Sequence, residues 1–357
     1  MKKKVAIAMS GGVDSAVAAA WLVDQGHEVI GLTMQLWDHG EQLSPSSRTC
    51  CATEDLYDAR QVAQRLDIPF YVVNLEEQFR QAVVEDFLSS YEAGQTPNPC
   101  VRCNQRLKFE TLLNKALSLG VDYLATGHYA IKKEDKNGHP LLYKGVDRFK
   151  DQSYFLFATT VAQLGKLDFP LGGLTKDKTR QLADRFDLHL SQKRESQDVC
   201  FVPDGDYKAF FMREGSTAAN SGLIVDLDGN VLGEHKGLGN HTIGQRKGLG
   251  ISAPNPLYVV KIISEKNQLV VGPESALYGD SLTIKDLNWL CRQKLEQPRQ
   301  VQAKIRYASN SVPATISPSN KLSYANLQFD NPQKSITPGQ ACVLYDGDRV
   351  LGGGWIS

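Results

Sequence analysis

One short segment near the start of the chain, Ser10 to Ser15 (SGGVDS), constrains the fold more than any other feature. It follows an apolar run, Val5 to Met9, and precedes a helix-like run, Ala16 to Gln25. This order predicts a strand, a tight glycine turn and the N-terminus of a helix. Such a turn directs backbone N–H groups and the positive end of a helix dipole at a phosphate, and glycine lets the backbone approach an anion closely. No Lys follows the glycines, so the segment is not the GxxxxGK[ST] loop that binds β- and γ-phosphates.

The N-terminal part of the chain alternates between two hydrophobic patterns. Apolar runs predict strands at 5–9, 29–34, 70–75 and 123–125, and helical patterns lie at 15–25, 54–66, 77–93, 109–119 and 176–186. This alternation predicts a parallel sheet with helices on both faces. Residues 36–49 are interpreted as a mobile loop, and residues 94–102 also as loop. Because ligands bind at the carboxyl ends of parallel strands, we expect Ser10, Met34 and Gly127 to converge on one site.

The sequence pattern changes after about residue 201. A short helix is predicted at 207–213, and short strands then alternate with turn signals such as Asp228-Gly229 and Asp346-Gly347. This spacing is typical of small β-sheets and barrels, and residues 298–356 in particular predict a barrel. The predicted domains are an α/β catalytic domain at 1–203, a small central β-rich domain at 204–276 and a C-terminal β-barrel at 277–357.

Charge and hydropathy exclude some classes of protein. The 357 residues carry 40 basic and 40 acidic side chains, so any nucleic-acid surface must be a local patch. No stretch approaches the roughly 20 apolar residues that span a bilayer. The N-terminus lacks the apolar segment and cleavage site of a signal peptide. We therefore expect a cytoplasmic protein with no membrane partner.

The seven cysteines are an odd number in a chain with cytosolic features, which favours chemistry or metal binding over a disulfide framework. Cys100 and Cys103 form a CxxC pair beside Arg102, Arg106 and Lys108, and positive neighbours favour the nucleophilic thiolate. The pair alone is compatible with a redox site, half a zinc site, two of three iron–sulfur ligands, or inert buried thiols. A further thiol, Cys200, lies far downstream. The inert interpretation is favoured for the remaining four, Cys50, Cys51, Cys291 and Cys342.

Several motifs occur together and in order along the chain. The SGGVDS segment resembles the pyrophosphate loop of the ATP-pyrophosphatase superfamily. With it come Thr96 to Asn104 (TPNPCVRCN), Ala125 to Tyr129 (ATGHY), Asp151 to Phe155 (DQSYF), Ser196 to Phe201 (SQDVCF), His241 to Gly248 (HTIGQRKG) and Pro338 to Gln340 (PGQ). This set resembles the bacterial tRNA-specific 2-thiouridylase family over nearly the whole chain.

The resemblance implies a fold and a reaction. The N-terminal domain would be an adenine nucleotide alpha hydrolase-like domain. The activity would be ATP-dependent 2-thiolation of the wobble uridine in lysine, glutamate and glutamine tRNAs, with adenylylation of the uracil C2 oxygen and release of AMP and pyrophosphate. ATP and Mg²⁺ would be needed, with Asp14 either an indirect Mg²⁺ ligand or a helix cap. The expected partners are the tRNA anticodon stem-loop and a cysteine desulfurase or sulfur-carrier protein.

The resemblance also implies roles for individual residues. Cys200 would carry the incoming sulfur as a persulfide, and Cys103 would release it by forming a disulfide with Cys200. ATP would be held by Ala8, Met9, Ser10, Gly11, Gly12, Val13, Asp14, Ser15, Met34 and Gly127. The tRNA would be contacted by Asn98, Pro99, Cys100, His128, Lys150, Asp151, Gln152, Arg306, Tyr307 and Gln340.

One departure from the family keeps an alternative open. Many members have Asp where this chain has Cys100, so Cys100, Cys103 and Cys200 together would match a three-cysteine iron–sulfur cluster. Two other functions compete with tRNA thiolation as a whole. The first is a small-molecule ligase that forms AMP, and the second is a non-enzymatic ATP-dependent RNA-binding protein or iron–sulfur sensor.

Overall fold

The computed structural model describes residues 2–37, 53–190, 193, 199–202 and 205–357. The chain divides into two compact units. The first comprises Met1–Ala82, Cys100–Asp204 and Asp348–Val350, and the second comprises Val83–Pro99, Gly205–Gly347 and Leu351–Ser357. Most of the predicted loop at 36–49, together with Cys50, Cys51 and residues 196–198 of the SQDVCF motif, lies outside the described residues.

The first unit is built on a five-stranded sheet. Its strands are β1 (Lys4–Ala8), β2 (Glu28–Gln35), β3 (Phe70–Asn74), β4 (Tyr123–Thr126) and, after a hairpin of β5 (Ala130–Glu134) and β6 (Pro140–Lys144), β7 (Leu167–Asp168). The order is β3-β2-β1-β4-β7, and every pairing is parallel, as the alternating pattern predicts. The central strand β1 is fully buried at Val5, Ala6 and Ile7, which explains its continuous apolar run. The strand order changes direction beside β1, and such a switch point is where ligands bind.

The α-helices agree with the sequence patterns in most places. In chain order they are α1 (Val13–Asp24), α2 (Thr53–Arg65), α3 (Glu76–Phe79), α4 (Glu85–Glu92), α5 (Pro99–Arg102), α6 (Leu113–Ser118), α7 (Val161–Gly165), α8 (Lys176–Arg185) and α9 (Tyr207–Arg213). Wider turns of π geometry occupy Arg80–Val84 and Cys103–Leu112. The small residues Ala16 to Ala20 of α1 are buried in the core of this unit.

The prediction of a loop at 99–102 was wrong. Pro99 begins α5, which is followed without a break by the π segment and α6, so the helix predicted from Phe109 begins at Pro99 instead. Proline is favourable in the first turn of a helix, because the N–H it lacks would have no partner there and its φ is already helical. The two prolines therefore mark the start of a helix that carries the CxxC pair.

The second unit contains two β structures. A four-stranded sheet has the order β10-β11-β8-β9, formed by β8 (Gly222–Val225), β9 (Val231–His235), β10 (Tyr258–Ile263) and β11 (Gln268–Gly272). A six-stranded barrel follows with β12 (Tyr278–Trp289), β13 (Arg299–Lys304), β14 (Val312–Pro318), β15 (Ala325–Lys334), β16 (Ala341–Asp346) and β17 (Arg349–Ile356). Pairing of β12 with β17 closes the barrel.

The barrel begins earlier than residue 298, where its sequence pattern becomes evident. Strand β12 precedes that point and contributes Leu282 and Ile284 to the barrel core. The exposed segment around 291–298 separates β12 from the other strands in sequence, which is why the pattern starts late. Within the described residues, none of the helices is long and apolar enough to cross a membrane.

Candidate functional site

The glycine turn after β1 has the geometry that its sequence predicts. Gly11 has φ +72°, a left-handed conformation that favours glycine, and a Cβ there would lie 2.2 Å from the Asp55 carbonyl oxygen. Ser15 Oγ accepts from the Ser10 N–H at 3.1 Å and donates to the Gly12 carbonyl at 3.0 Å. These two hydrogen bonds therefore fix the conformation of the turn.

Helix α1 starts at this turn with open backbone donors. Gly12 is the N-cap residue and provides no side-chain cap, and the first intrahelical bond runs from Ala16 N–H to the Gly12 carbonyl at 3.2 Å. The N–H groups of Val13, Asp14 and Ser15 consequently have no acceptor within the helix. Together with the dipole of a 12-residue helix, these donors fit an anion such as a phosphate group.

Two neighbouring strands bring other predicted residues to the same turn. Gly127 directly follows β4, and a Cβ at this position would lie 2.8 Å from Ser15 N and 2.9 Å from the Asp14 carbonyl carbon. Met9 N–H donates to the Leu32 carbonyl of β2 at 2.7 Å, which places Met34, two residues further along β2, at the carboxyl edge of the sheet. The predicted set from Ala8 to Ser15, Met34 and Gly127 thus lies at the carboxyl ends of β1, β2 and β4. Only glycine at 127 allows so close an approach.

The Asp14 side chain is held by residues from two distant parts of the unit. Lys176 Nζ lies 2.8 Å from both carboxylate oxygens, and Tyr129 Oη donates to Oδ1 at 2.7 Å. Tyr129 also contacts Thr179 Oγ1 at 2.9 Å. The lysine side chain is 7% exposed and the aspartate 30%. Asp14 is therefore a charge-paired residue in the first turn of α1, and the helix cap is Gly12.

A second lysine binds the turn from the side of α2. Lys193 Nζ donates to the Gly11 carbonyl at 3.0 Å and to Asp55 at 2.6 Å, and it also pairs with Asp58. Burial opposes the charge on this lysine, but the two carboxylates outweigh it and raise the pKa of Lys193 above its usual value. Lys193 thus stays cationic beside the turn where a phosphate would bind.

These groups fit ATP better than they fit a protein-bound metal. The turn supplies N–H donors, while both oxygens of Asp14 accept from Lys176, and the indirect Mg²⁺ contact expected of Asp14 stays a prediction. Within the described residues no three His, Cys, Asp or Glu side chains are grouped so that they would hold a metal ion. Mg²⁺ commonly binds through one or two carboxylates and the phosphates of its nucleotide, so it would accompany ATP here mainly through the phosphates.

The candidate thiols lie on two segments of the first unit. Cys100 is exposed and Cys103 is half-buried on the helix that begins at Pro99, and Cys200 is half-buried. Phe201 is 3% exposed and contacts the rings of Phe79 and Trp37, with centroids 5.6 and 6.3 Å away. The residue after Cys200 is thereby anchored in an aromatic cluster.

Two observations describe the surroundings of the thiols. Arg102 donates to Gln105 at 3.2 Å and Arg106 pairs with Glu110 at 3.5 Å, so both arginines have partners on their own helix. Cys100, Cys103 and Cys200 all belong to the described part of the chain, and they do not form a group that would hold a metal ion. The cluster therefore stays a prediction.

The polar side chains of the DQSYF motif form hydrogen bonds within the protein itself. Asp151 is 6% exposed, and its carboxylate accepts from Gly145 N at 2.9 Å, Ser153 N at 3.1 Å and Ser153 Oγ at 2.9 Å. Gln152 Oε1 accepts from Tyr129 N at 3.0 Å. These side chains hold the loop after β6, where half-buried Lys150 precedes them.

His128 is packed among aromatic rings. Its centroid lies 5.9 Å from Phe109 and 6.2 Å from Phe169, and Nδ1 is 2.7 Å from Thr126 Oγ1. Burial, and secondarily the charge of Lys108, holds the pKa of His128 well below its usual value. The imidazole is therefore neutral near pH 7, and an RNA contact through it would be a neutral hydrogen bond.

Part of the predicted tRNA-binding set comes together in the second unit. Gln340 Nε2 donates to the carbonyls of Thr96 at 3.1 Å and Pro97 at 3.2 Å, and Asn98 follows directly. Arg306 donates to the Ser335 carbonyl and to Thr337 Oγ1 at the turn that leads to Gln340. Arg306 and Gln340 thus position backbone, whereas Tyr307 is 39% exposed, with Lys304 Nζ 5.3 Å from its ring centre.

Sequence reasoning missed the groups that surround the glycine turn. Lys176 and Tyr129 bond to Asp14, and Lys193 bonds to Gly11. Behind them, Thr179 bonds to Tyr129, and Asp55 and Asp58 bond to Lys193. Lys176 is 162 positions from Asp14 and Lys193 is 182 positions from Gly11, so no local spacing relates them. Of these residues, Tyr129 lies inside the ATGHY motif, so that motif was the sequence feature that could have indicated its role.

Three family models match successive parts of the chain. They are described as a tRNA methyl transferase HUP domain over residues 3–204, a tRNA methyl transferase PRC-barrel domain over 209–273 and an aminomethyltransferase beta-barrel domain over 279–356. The first alone covers more than half of the chain.

Two relatives are similar to the chain over nearly its whole length. The chain is 61% identical over 354 residues to the tRNA-specific 2-thiouridylase MnmA of Magnetococcus marinus, covering 99% of both chains. It is 51% identical over 360 residues to the protein of the same name from Geotalea uraniireducens, covering 99% of this chain and 95% of the relative. Among solved structures, NMN synthetase from Francisella tularensis is 18% identical with a TM-score of 0.33, covering 61% of this chain and 79% of that one.

Proposed function

This chain belongs to the family of tRNA-specific 2-thiouridylases, and we propose that it uses ATP to replace the C2 oxygen of a tRNA wobble uridine with sulfur. The observation that carries the proposal is the close approach of Gly127 to the open N-terminus of α1 at the glycine turn. This arrangement supplies an anion site next to the carboxyl end of β4. Lysine, glutamate and glutamine tRNAs are the proposed substrates.

The proposed first step activates the uracil. The C2 oxygen attacks the α-phosphate of ATP, the bond to the β-phosphate breaks, and pyrophosphate leaves with the electron pair. The N–H donors and the dipole at the start of α1 stabilise the departing anion, while Lys193, paired with Asp55 and Asp58, holds the Gly11 carbonyl of the turn. The C2 oxygen, a poor leaving group in uracil, then departs as part of AMP.

The proposed second step transfers sulfur. A persulfide on Cys200 attacks C2 through its outer sulfur, and AMP leaves. The Cys103 thiolate then attacks the Cys200 sulfur, the sulfur–sulfur bond breaks, and its electron pair stays on the sulfur bound to C2. The product is 2-thiouridine, and the Cys103–Cys200 disulfide must be reduced by an external thiol before the next turnover. A cysteine desulfurase or sulfur-carrier protein is the proposed source of the persulfide sulfur.

The RNA must present its wobble base unstacked. Single-stranded loop bases are the usual targets of sequence-specific RNA recognition, and unstacking costs a few kcal/mol. In the second unit, Gln340 fixes the Thr96–Pro97 backbone that leads to Asn98 and Pro99. We place the target base against this segment, with the barrel surface around Tyr307 contacting the anticodon stem-loop.

Nucleoside mass spectrometry tests the proposal. Unmodified lysine tRNA is incubated anaerobically with the protein, ATP, Mg²⁺, sulfide and, as the source of persulfide sulfur, a cysteine desulfurase with cysteine, once with protein as purified and once after iron–sulfur reconstitution. We expect ATP-dependent 2-thiouridine in both samples. Product only after reconstitution would replace the persulfide relay with a cluster on Cys100, Cys103 and Cys200. No product in either sample would overturn tRNA thiolation in favour of a ligase that acts on a small molecule.

A further inference from the structure

One aromatic side chain of the first unit is almost entirely exposed. Phe149 is 95% exposed, whereas the other twelve of the thirteen phenylalanines, all within the described ranges, are buried or half-buried. Single exposed apolar residues are common on protein surfaces. What distinguishes Phe149 is the structure of the loop that presents it, which joins β6 to the turn at Ser153–Leu156.

Two carboxylates hold this loop from the inside. Asp147 Oδ1 accepts from the N–H groups of Phe149 at 3.1 Å and Lys150 at 3.2 Å, and Oδ2 accepts from Lys176 N at 2.9 Å. Asp151 accepts three further bonds from Gly145 and Ser153. The backbone on both sides of Phe149 is therefore fixed by buried or half-buried acceptors, and its ring is presented without support from neighbouring side chains.

The two residues beside Phe149 are cationic. Arg148 is half exposed and pairs with Asp348 at 2.6 Å, and Lys150 is half-buried. The loop carboxylates Asp147 and Asp151 accept from backbone N–H groups of the protein itself. The loop thus presents an apolar ring beside the cationic Lys150, while the charge of Arg148 is paired with Asp348. A ring next to a cation suits a nucleobase with an adjoining phosphate.

We propose that Phe149 stacks on an unpaired base of the tRNA substrate, while Asp151 and Gln152 act only by holding the loop. This inference rests on the proposed function, since it assigns a contact to the same RNA. The backbone that carries the ring is fixed in advance, so binding orders only one short side chain, and every base has a face on which it can stack. The contact would contribute affinity without reading sequence.

Binding of unmodified lysine tRNA to three variants tests the contact. Phe149→Ala is expected to raise the Kd roughly fivefold to a hundredfold, the range found for loss of one stacked base. Phe149→Trp is expected to retain the affinity, and fluorescence of the introduced tryptophan is expected to be quenched when RNA binds. Tyr71→Ala removes another exposed aromatic, 52% exposed on the edge strand β3, and serves as the matched control with unchanged Kd.

Salt dependence separates stacking from charge. For Phe149→Ala, the slope of log Kd against log salt concentration is expected to equal that of the wild type, whereas Lys150→Ala is expected to reduce the slope by about 1. The kcat of Phe149→Ala at saturating tRNA is expected to be unchanged, with the effect confined to KM. A Kd for Phe149→Ala within twofold of the wild type, or an equal loss in Tyr71→Ala, would overturn the inference.

The failure of this inference is distinct from failure of the proposed function. If wild-type protein forms 2-thiouridine but Phe149→Ala binds tRNA normally, the stacking contact is wrong and the enzyme assignment stands. If wild-type protein forms no 2-thiouridine but Phe149→Ala loses RNA binding, the contact stands and the reaction is wrong. Normal RNA binding with lost binding to a cysteine desulfurase would make the ring a protein contact and also overturn the inference.

Discussion

Lys176 Nζ lies 2.8 Å from both carboxylate oxygens of Asp14, in the first turn of the helix that follows the glycine turn. The pair sits where a phosphate is expected, so an unpaired Asp14 would repel the nucleotide. Tyr129 adds a hydrogen bond to the same carboxylate at 2.7 Å. The lysine therefore neutralises an acid that the SGGVDS motif itself introduces.

Lys176→Met should weaken both folding and ATP binding. Breaking a buried ion pair leaves an uncompensated charge, and with Asp14 30% exposed we expect a loss of roughly 2–3 kcal/mol in the free energy of unfolding. Denaturant unfolding measures the stability, and calorimetric titration measures the ATP affinity. Lys178→Met, on the exposed side of the same helix, is the matched control and should change neither.

The double variant Asp14→Asn/Lys176→Met identifies the cause. Removing both charges should recover part of the lost stability, because no unpaired carboxylate remains. A double variant that is no more stable than Lys176→Met would assign the loss to packing. Wild-type stability in Lys176→Met would contradict the charge-pair explanation altogether.

Gly127→Ala should separate β4 from the start of α1. The added Cβ would lie 2.8 Å from Ser15 N, closer than real Cβ contacts allow, so the turn must shift. We expect a loss of roughly 1–3 kcal/mol in stability, as for other overpacked sites, and a larger loss in ATP affinity. Thermal unfolding with and without ATP measures both.

Gly173→Ala is the control for that change. A Cβ at Gly173 meets no heavy atom within 4 Å, and the residue has no left-handed φ. This variant should bind ATP as the wild type does. Equal ATP affinity in Gly127→Ala and Gly173→Ala would show that the close approach at Gly127 does not shape the nucleotide site.

Cys103→Ser and Cys200→Ser should each abolish 2-thiouridine formation while tRNA binding stays within about twofold. Serine preserves size but cannot form the persulfide or the disulfide that the proposed relay needs. Cys291→Ser, at a half-buried thiol of the second unit, is the matched control and should remain active. Single-turnover assays followed by nucleoside analysis make the comparison, and normal activity in either of the first two variants would remove the relay.

The sequence predicted the parts of the site whose residues are adjacent along the chain. Gly11 and Gly12 predicted the turn, because a close backbone approach requires glycine at that position. The apolar run before Ser10 predicted the central strand, because a strand buried on both faces has a continuous apolar sequence. Lys176 and Lys193 left none, since each reaches its partner through the tertiary fold. Pro99 was misjudged because proline both ends helices and begins them, and only the following residues decide between the two.

Gln340→Leu should impair use of tRNA without unfolding the barrel. The leucine cannot donate to the Thr96 and Pro97 carbonyls, so the backbone that leads to Asn98 loses two hydrogen bonds. At roughly 1 kcal/mol for each bond, the loss totals about 2 kcal/mol, and we expect about a thirtyfold fall in kcat/KM for tRNA. Steady-state kinetics with varied tRNA provides the measurement.

Gln328→Leu is the control for the barrel. Gln328 also donates from its amide to a carbonyl, that of Asp280 at 3.0 Å, but on an exposed strand position. Its kcat/KM should stay near that of the wild type. If both variants lose activity equally, the effect of Gln340→Leu comes from the barrel as a whole and not from the Thr96–Pro97 segment.

His241 should make the protein less stable in mild acid. It is 5% exposed, and its Nδ1 is a buried atom with no hydrogen-bond partner in the described part of the chain. Burial, with repulsion from His235 at a centroid distance of 5.9 Å, lowers the pKa of His241 to about 4, although a bond with Gln245 acts in the opposite direction. The folded state then resists a proton that the unfolded state, with its pKa near 6.5, accepts. The free energy of unfolding should therefore fall as the pH drops from about 6.5 towards 4, by roughly 1–2 kcal/mol between about pH 7 and pH 5.

Denaturant unfolding of wild type and His241→Phe at both pH values measures this fall in the free energy of unfolding, which should be smaller in the variant. Some dependence should persist there, because burial also lowers the pKa of His128 and His235. An identical pH dependence in the two proteins would show that His241 is protonated in the folded state as readily as in the unfolded one.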